Sequence, residues 1–261
     1  MEYLKYLSKL NNIITSEGET VEVFELNKNI DASSFDNWAN HFRQQYCSDN
    51  IIDKLVEGSG LTKEAYLLKF KFPDENEDFG PGTRSGDFGE LLVSDYLEYI
   101  LGYSVPRERY KNKFNRNSST QGTDVIAFKI FGEKDSPRDE LITFEVKTQA
   151  CKGTSKNRLQ DAVDDSYKDE IRKGETLSAL KQLYIEKNRE DEALKIKRFQ
   201  NKPDRPYVEK YGAAAVQDTA YYSTSVVQSV KLNGAQRILI VIKRNNLMKL
   251  VHELYRRAAQ C

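Results

Sequence analysis

Apolar residues along the chain alternate in some segments and recur at helical spacing in others, which predicts a mixture of strands and helices. Near the N-terminus, VEVFELNKNI alternates like a strand. SSFDNWANHFRQQYC follows with helical spacing, and Ser33 or Ser34 is the expected N-cap. EAYLLKFKFP has a strand-like end. We therefore expect residues 1–78 to form an α+β region, which offers a possible interface for a partner.

The most regular pattern begins after an acidic, glycine-rich segment, DENEDFGPGTRSG, which we interpret as a boundary or a flexible lid. DFGELLVSDYLEYILG has apolar positions at helical spacing, and Gly102 suits its end. TDVIAFKIFG and LITFEVKTQ are strand-like and are joined by a polar turn, which predicts a β-hairpin.

The rest of the chain contains a charged segment followed by buried ones. Residues 156–205 alternate in charge sign, as solvated helices do, and we interpret them as a helical insertion. AAAVQDTAYYSTSVVQSV fits a helix or a strand. RILIVIKR predicts a buried strand, and NNLMKLVHELYRRAA predicts a closing helix capped by Asn245. This order of elements predicts an α/β (α+β) fold with a mixed central sheet flanked by helices.

Composition excludes few functions. The 261 residues include 40 Lys and Arg against 40 Asp and Glu, so no overall basic charge indicates nucleic-acid binding, although a local patch can still bind phosphate. Three widely spaced cysteines and two histidines argue against a disulfide framework or a structural zinc site. The absence of a membrane-length apolar run and of a signal-peptide core predicts a cytoplasmic protein.

Candidate chemistry lies on the predicted hairpin. Glu145 and Lys147 are two residues apart, so on a strand they share one face, while Phe144 and Val146 take the other. Hairpin pairing can bring Asp124, which begins the first strand, beside Glu145. Two carboxylates offer hard oxygen ligands for Mg²⁺, with Mn²⁺ as a substitute, and Lys147 can orient a bound water or help to deprotonate it.

An isolated Glu-x-Lys pair on an exposed sheet face usually does no more than face water. Here the flanking residues are apolar and favour a central strand, in which polar side chains need a reason to be present. These neighbours are Leu141, Ile142, Phe144 and Val146. Because of these apolar neighbours, we interpret the hairpin as a candidate site and not as a chance pattern.

These residues resemble the core of the PD-(D/E)xK, or restriction-endonuclease-like, nuclease superfamily. Its signature, an Asp on one strand and (D/E)-x-K on the next, is matched by Gly122-Thr123-Asp124 and Glu145-Val146-Lys147, although no Pro precedes the Asp. The resemblance implies a nuclease domain over residues 79–261 with a helix, a three-stranded meander, a second helix and a further strand, for which RILIVIKR is the candidate. It also implies that Glu90, on the preceding helix, joins Asp124 and Glu145 as a metal ligand.

Within that superfamily the chain is similar to the HamA family, the nuclease subunits of the Hachiman anti-phage defence system. The order of the G-E-L-L, G-x-D and E-x-K elements after a variable N-terminal part carries this similarity. It implies DNA as the substrate, a superfamily 2 helicase (HamB-like) as the partner, and silence until the helicase meets suitable DNA. The alternatives are a stand-alone restriction endonuclease and a non-catalytic subunit that binds and regulates a helicase.

A basic stretch just before Asp124 is the candidate DNA-binding element. Tyr110 and Phe114 lie among its cations, a combination that can grip a phosphate backbone and stack a base, although a charged loop can equally be solvated surface. The candidate DNA contacts are Arg107, Arg109, Lys111, Lys113 and Arg116, with Lys152 just beyond the second strand of the hairpin.

Overall fold

The computed structural model describes residues 1–77, 79–153 and 157–261. The α-helices of these ranges are α1 (Ala32–Tyr46), α2 (Asp49–Val56), α3 (Lys63–Tyr66), α4 (Gly80–Asp95), α5 (Arg158–Ser166), α6 (Asp169–Glu186), α7 (Glu190–Lys197), α8 (Thr224–Gln228) and α9 (Leu247–Gln260). The strands are β1 (Leu7–Lys9), β2 (Ile13–Ile14), β3 (Thr20–Leu26), β4 (Val125–Lys129), β5 (Glu140–Gln149), β6 (Val208–Asp218) and β7 (Ile238–Arg244). Residues 78 and 156, at which the N-terminal region was expected to end and the insertion to begin, lie outside the described residues.

One mixed sheet runs through the molecule in the order β1-β3-β7-β6-β5-β4, with β2 also paired to β3. Neighbours from β3 to β5 are parallel, whereas β4 forms an antiparallel hairpin with β5. One face packs against α1, α4 and α9, and the other against α5 to α8. The predicted mixed sheet flanked by helices is confirmed, and a restriction-endonuclease-like core stays a prediction.

The N-terminal region contributes to this same sheet. Its predicted strand forms β3, which runs parallel to β7. Val21 and Val23 pack on the α5 side, while Phe24 packs on the side of α1, α4 and α9. Both faces of β3 therefore carry buried residues, and the strand joins β1, near the start of the chain, to β7, near its end.

Two expectations for the N-terminal region were wrong. EAYLLKFKFP forms α3 and a π-helical turn (Leu67–Lys71) rather than a strand end. Leu67 and Phe72 are buried while Leu68 and Phe70 are exposed, so the segment buries one helical side and not alternate residues. The N-cap of α1 is Asp31, which accepts a hydrogen bond from the backbone N–H of Ser34 at 2.8 Å, and not Ser33 or Ser34 itself.

Helix α4 begins inside the segment interpreted as a boundary or lid, at Gly80 with Pro81 in its first turn. A π-helical turn (Tyr96–Ile100) extends it, and Gly102 follows at a positive φ of 72° as expected. Helix α9 is not capped by Asn245. Its first backbone N–H, that of Leu247, donates to Asp218 at the end of β6 at 2.7 Å, so a strand supplies the cap.

The segment that fitted a helix or a strand forms β6 and, beyond it, the short α8. It is β6, not RILIVIKR, that lies beside β5, and RILIVIKR forms β7 one place further. A Cβ on Gly212 of β6 would lie 2.3 Å from the ring of Phe144, so only glycine allows the two strands to pack at this register. Small residues buried on both faces carry no alternation, which is why periodicity left this strand undecided.

The structure also shows the state of the cysteines and the length and polarity of the helices. Cys47 is buried, Cys151 and Cys261 are exposed, and all three are free thiols. Across the described ranges, the helices are too short or too polar to cross a bilayer.

Candidate active site

The β4–β5 hairpin places Asp124 beside Glu145, as the register predicts. Val125 pairs with Phe144, so Asp124, one residue earlier, lies opposite Glu145. Asp124 Oδ2 accepts a hydrogen bond from the backbone N–H of Val146 at 3.0 Å. Phe144 and Val146 face the main core, and on the other face Lys147 Nζ lies 2.7 Å from Glu145 Oε1. Strand periodicity therefore assembles a carboxylate pair and an ammonium.

Glu90 reaches the site from α4 because that helix packs closely on β5. A Cβ on Gly89 would lie 2.0 Å from Thr148 Oγ1, so glycine is needed for this approach. The Glu90 carboxylate accepts hydrogen bonds from Tyr110 Oη at 2.5 Å and from Arg109 Nε at 2.9 Å. The close packing thus delivers the helix carboxylate to the basic stretch.

Arg109 lies between the helix carboxylate and the strand carboxylate. Its Nη2 is 3.0 Å from Asp124 Oδ1, while its Nε binds Glu90. The guanidinium also donates to backbone carbonyls of residues 120, 121 and 123, and its side chain is only 17% exposed. An expected DNA contact is thus a buried ion-pair partner that separates two expected metal ligands.

Burial is the main influence on the titration of these carboxylates. It raises the pKa of Asp124 to about 7, with the negative charge of Glu90 adding and Arg109 opposing. Burial also raises the pKa of Glu90 and of Glu145, and the charge of Asp124 adds to the rise at Glu145. Ionised carboxylates this close need a positive partner, which the structure supplies in part through Arg109 and Lys147.

Lys147 is held as an ammonium. Burial would lower its pKa, but hydrogen bonds to Asp165 and Glu145 outweigh burial, and the pKa is raised. Asp165, on α5, lies 2.6 Å from the ammonium and was missed from the sequence, because no spacing rule links α5 to β5. A protonated lysine can orient water and stabilise negative charge, but it has no lone pair with which to accept a proton.

One carboxylate oxygen of the site has no hydrogen bond. Glu145 is 3% exposed, its Oε2 has no donor, and Arg172 Nη1 approaches it only to 3.8 Å. A buried carboxylate oxygen in this condition suits a hard cation. In the ranges that the structure describes, no three His, Cys, Asp or Glu side chains are grouped to hold one ion. The residues therefore fit Mg²⁺ bound by one or two carboxylates, with water and phosphate oxygens completing its shell.

The HamA family model matches residues 1–258, from the N-terminal region to the last helix. The chain belongs to the HamA family. The similarity inferred from the three motifs is confirmed, and the family indicates a component of the Hachiman anti-phage defence system. No match was found among curated proteins.

The basic stretch of this HamA-family chain is largely engaged with internal carboxylates. Arg107 lies 2.7 Å from Asp95, and Lys113 lies 2.5 Å from Asp87 with both side chains only 4% exposed. Arg107 also pairs with Glu98, Lys111 with Glu108 at 3.5 Å and Arg116 with Asp74 at 2.7 Å. Lys152, by contrast, is exposed just beyond β5. In this conformation the stretch organises the fold around the site, and its contact with DNA stays a prediction.

A cavity of about 720 Å³ lies beside Asp124 in the same HamA-family chain. The basic stretch and α6 form its walls, including Tyr110, Phe114 and Leu180. Phe114 is fully exposed, whereas Tyr110 is buried against Glu90. The volume lies within the range of small-molecule sites, so the cavity can accept a nucleotide-sized group next to the carboxylates.

Proposed function

We propose that this HamA-family protein is a metal-dependent nuclease that hydrolyses DNA phosphodiester bonds as the effector of a Hachiman system. The single observation that carries the proposal is the buried Oε2 of Glu145, which has no hydrogen-bond donor and lies beside Lys147 and Asp124. A hydrophobic sheet face has no structural use for such an oxygen, whereas a cation-assisted hydrolase does.

The order of elements supports a PD-(D/E)xK core. Helix α4 is followed by an isolated antiparallel bridge between Ser104 and Phe128, which is the remnant of a first meander strand. Strands β4 and β5 complete the meander, and α5 begins the connection to β6, which runs parallel to β5. In this assignment β6 is the late core strand, while β7 and β3 extend the sheet beyond it.

The chemistry follows from the side chains present. Asp124 and Glu145 would hold Mg²⁺ or Mn²⁺, which when bound polarises the phosphodiester and lowers the pKa of a water. Lys147 orients the attacking water and stabilises the charge that develops on the phosphate oxygens. Asp165 holds Lys147 in place. Glu90 assists through water, or directly once Arg109 leaves it.

The proposed partners are DNA and a superfamily 2 helicase of the HamB kind. Family membership supports the helicase, and the ion pairs of Arg109 with Glu90 and Asp124 support a state that is inactive on its own. In that state two of the three proposed metal ligands are neutralised by a side chain of the same protein. Contact with the helicase and DNA would have to release them.

Those same ion pairs favour a second candidate, a non-catalytic subunit that binds and regulates a helicase. If Arg109 neutralises Glu90 and Asp124 permanently, the carboxylates are structural. A stand-alone restriction endonuclease, the third possibility, requires cleavage without a helicase. The helicase-dependent nuclease thus predicts cleavage only with the partner, and the regulatory subunit predicts no cleavage at all. The stand-alone restriction endonuclease predicts cleavage by the isolated chain.

Degradation of plasmid and linear DNA in Mg²⁺ or Mn²⁺ separates them, with the chain alone and with a helicase encoded beside its gene. Glu145→Gln and Lys147→Gln should each reduce cleavage by about 100-fold or more, because each removes charge stabilisation of the transition state. Glu140→Gln, at the far end of β5, should not. Metal-dependent cleavage that survives the first two substitutions would refute this site, and no cleavage in any condition would favour the regulatory subunit.

A further inference from the structure

Two buried carboxylates, those of Glu145 in the candidate site and of Asp169 on α6, have oxygens without a hydrogen-bond donor. Asp169 is the first residue of α6; it is fully buried and neither of its carboxylate oxygens has a hydrogen bond. Glu145 Oε2 is in the same condition. An acceptor withdrawn from water in this way is costly unless a cation or a proton compensates it.

The first turn of α6 lies beside Glu145, because Arg172, three residues after Asp169, places its Nη1 3.8 Å from Glu145 Oε2. Helix α6 packs on the segment before β4, where the Thr123 backbone N–H donates to Thr176 Oγ1 at 3.2 Å. Burial raises the pKa of Asp169 to about 6, and the negative charge of Glu145 is the next largest cause. The Thr123 hydroxyl is near enough to oppose that rise, but it lies outside hydrogen-bond geometry and has no partner. Asp169, Glu145 and Thr123 therefore present unsatisfied oxygens to one region.

The neighbouring cations form no hydrogen bond with these oxygens. Lys147 binds the other oxygen of Glu145, and Arg109 is engaged by the carboxylates of Glu90 and Asp124. Arg172 is about one-third exposed and stops 3.8 Å from Glu145 Oε2. Among the ion pairs of residues 1–77, 79–153 and 157–261, none includes Asp169. Arg172 and Arg109 lower the pKa of Asp169 only through their charge, so its buried carboxylate has no ion-pair partner among these residues.

We propose that Asp169 is a metal ligand which, with Glu145, binds a divalent cation such as Mg²⁺ or Mn²⁺ at the start of α6. Two carboxylates and a hydroxyl are hard oxygen donors, and Mg²⁺ commonly takes one or two carboxylates with water and phosphate oxygens as its other ligands. The catalytic use of this ion rests on the proposed nuclease function, but its binding is measurable without DNA. The charged insertion would thereby contribute to the active centre.

A simpler role for Asp169 predicts the opposite stability effect. An aspartate in the first turn of a helix is favoured by the helix dipole, and its replacement by asparagine then lowers stability whether or not a cation is present. A metal ligand without its metal is instead an uncompensated buried charge. Asp169→Asn should then raise the melting temperature in EDTA and remove the further rise that Mn²⁺ produces in the wild type.

The experiment measures Mn²⁺ binding to the full-length chain by electron paramagnetic resonance, and thermal unfolding in EDTA and in Mn²⁺. Asp164→Asn is the matched control, because Asp164 is an exposed acid on α5. The wild type and the control should bind Mn²⁺ equally, and Asp169→Asn should weaken binding roughly tenfold or more. The melting temperature of Asp169→Asn should exceed that of the wild type in EDTA and be lower than it in Mn²⁺.

Each other result overturns the proposal. Unchanged Mn²⁺ affinity in Asp169→Asn, or a lower melting temperature in both solutions, would make Asp169 structural, and a wild type that binds no Mn²⁺ would remove the site. Failure here is separable from failure of the nuclease proposal. If Glu145→Gln abolishes cleavage while Asp169→Asn retains Mn²⁺ binding, the nuclease stands without this ligand; if cleavage survives Glu145→Gln, the nuclease site itself is wrong.

Discussion

Removal of the Arg109 guanidinium should reveal how strongly it stabilises the two carboxylates that it separates. In Arg109→Met the side-chain length is kept, but Glu90 and Asp124 lose their shared cation. Removing one partner of a buried ion pair costs about 3–5 kcal/mol, because a buried charge is left unpaired. Since two carboxylates are affected and Arg109 is only 17% exposed, we expect a cost of about 4–5 kcal/mol at pH 8.

The cost should depend on pH, with a sign that follows from Asp124. Its pKa is about 7 with Arg109 present and must rise when that cation is lost. A folded-state pKa above the unfolded value means that the folded protein holds a proton that the unfolded chain has released. Stability therefore falls as pH rises between the two values. Arg109→Met should cost less at pH 6, where Asp124 can take a proton, than at pH 8.

Urea unfolding in EDTA measures these free energies in a double-mutant cycle with Glu90→Gln. The double variant should lose about 1–3 kcal/mol less than the sum of the single losses, because the two side chains share one interaction. Arg138→Met is the control, since Arg138 is an exposed arginine outside the site, and it should cost less than about 0.5 kcal/mol. Additive losses within about 0.5 kcal/mol, or equal costs at the two pH values, would refute the argument.

Two further predictions test the basic stretch and its surroundings. Arg107→Met should cost about 3 kcal/mol or more in urea unfolding, because Asp95 is left buried. Lys152→Gln, at an exposed position, should cost less than about 0.5 kcal/mol but reduce the salt dependence of DNA binding by about one released counterion. Equal stability losses, or an unchanged salt slope in fluorescence anisotropy, would contradict these roles. Burial would raise the pKa of Asp95, but hydrogen bonds from His41 and the charge of Arg107 outweigh it and lower the pKa. The stabilising contribution of Asp95 is then complete above the ordinary carboxyl pKa and is lost as pH falls through the pKa of the folded state. The stability difference between wild type and Asp95→Asn should therefore shrink below about pH 4. A difference that stays constant with pH would contradict this role of Asp95.

Local pattern predicted the part of the site that depends on neighbouring residues in the sequence. Period-two alternation placed Glu145 and Lys147 on one face of β5, and the polar turn between β4 and β5 predicted the hairpin that brings Asp124 to them. Helical spacing predicted most of α4 and therefore the position of Glu90. These features could be predicted because the geometry of a strand or a helix is set by residues a few positions apart.

Elements whose local pattern is weak were predicted less well. The π-helical turn after α3 resembled a strand because Leu67 to Phe72 mixes apolar and basic residues, and only packing shows which side is buried. Strand β6 had no alternation, since its small residues are buried on both faces. The cap of α9 comes from Asp218, 29 residues earlier in the chain, which no N-cap rule can foresee.

The sequence by itself determined which residues have the chemistry to bind a cation and which of them share a strand. Only the tertiary structure decided how their charges are matched. Arg109 appeared as one more cation for DNA, and the packing of α4 against the hairpin made it the partner of Glu90 and Asp124. Asp169 appeared as one more charge on a solvated insertion, and the packing of α6 beside Glu145 buried it without an ion-pair partner. The physical reason is that the cost of a charge depends on what lies across from it in space, and residues distant in sequence supply that neighbour.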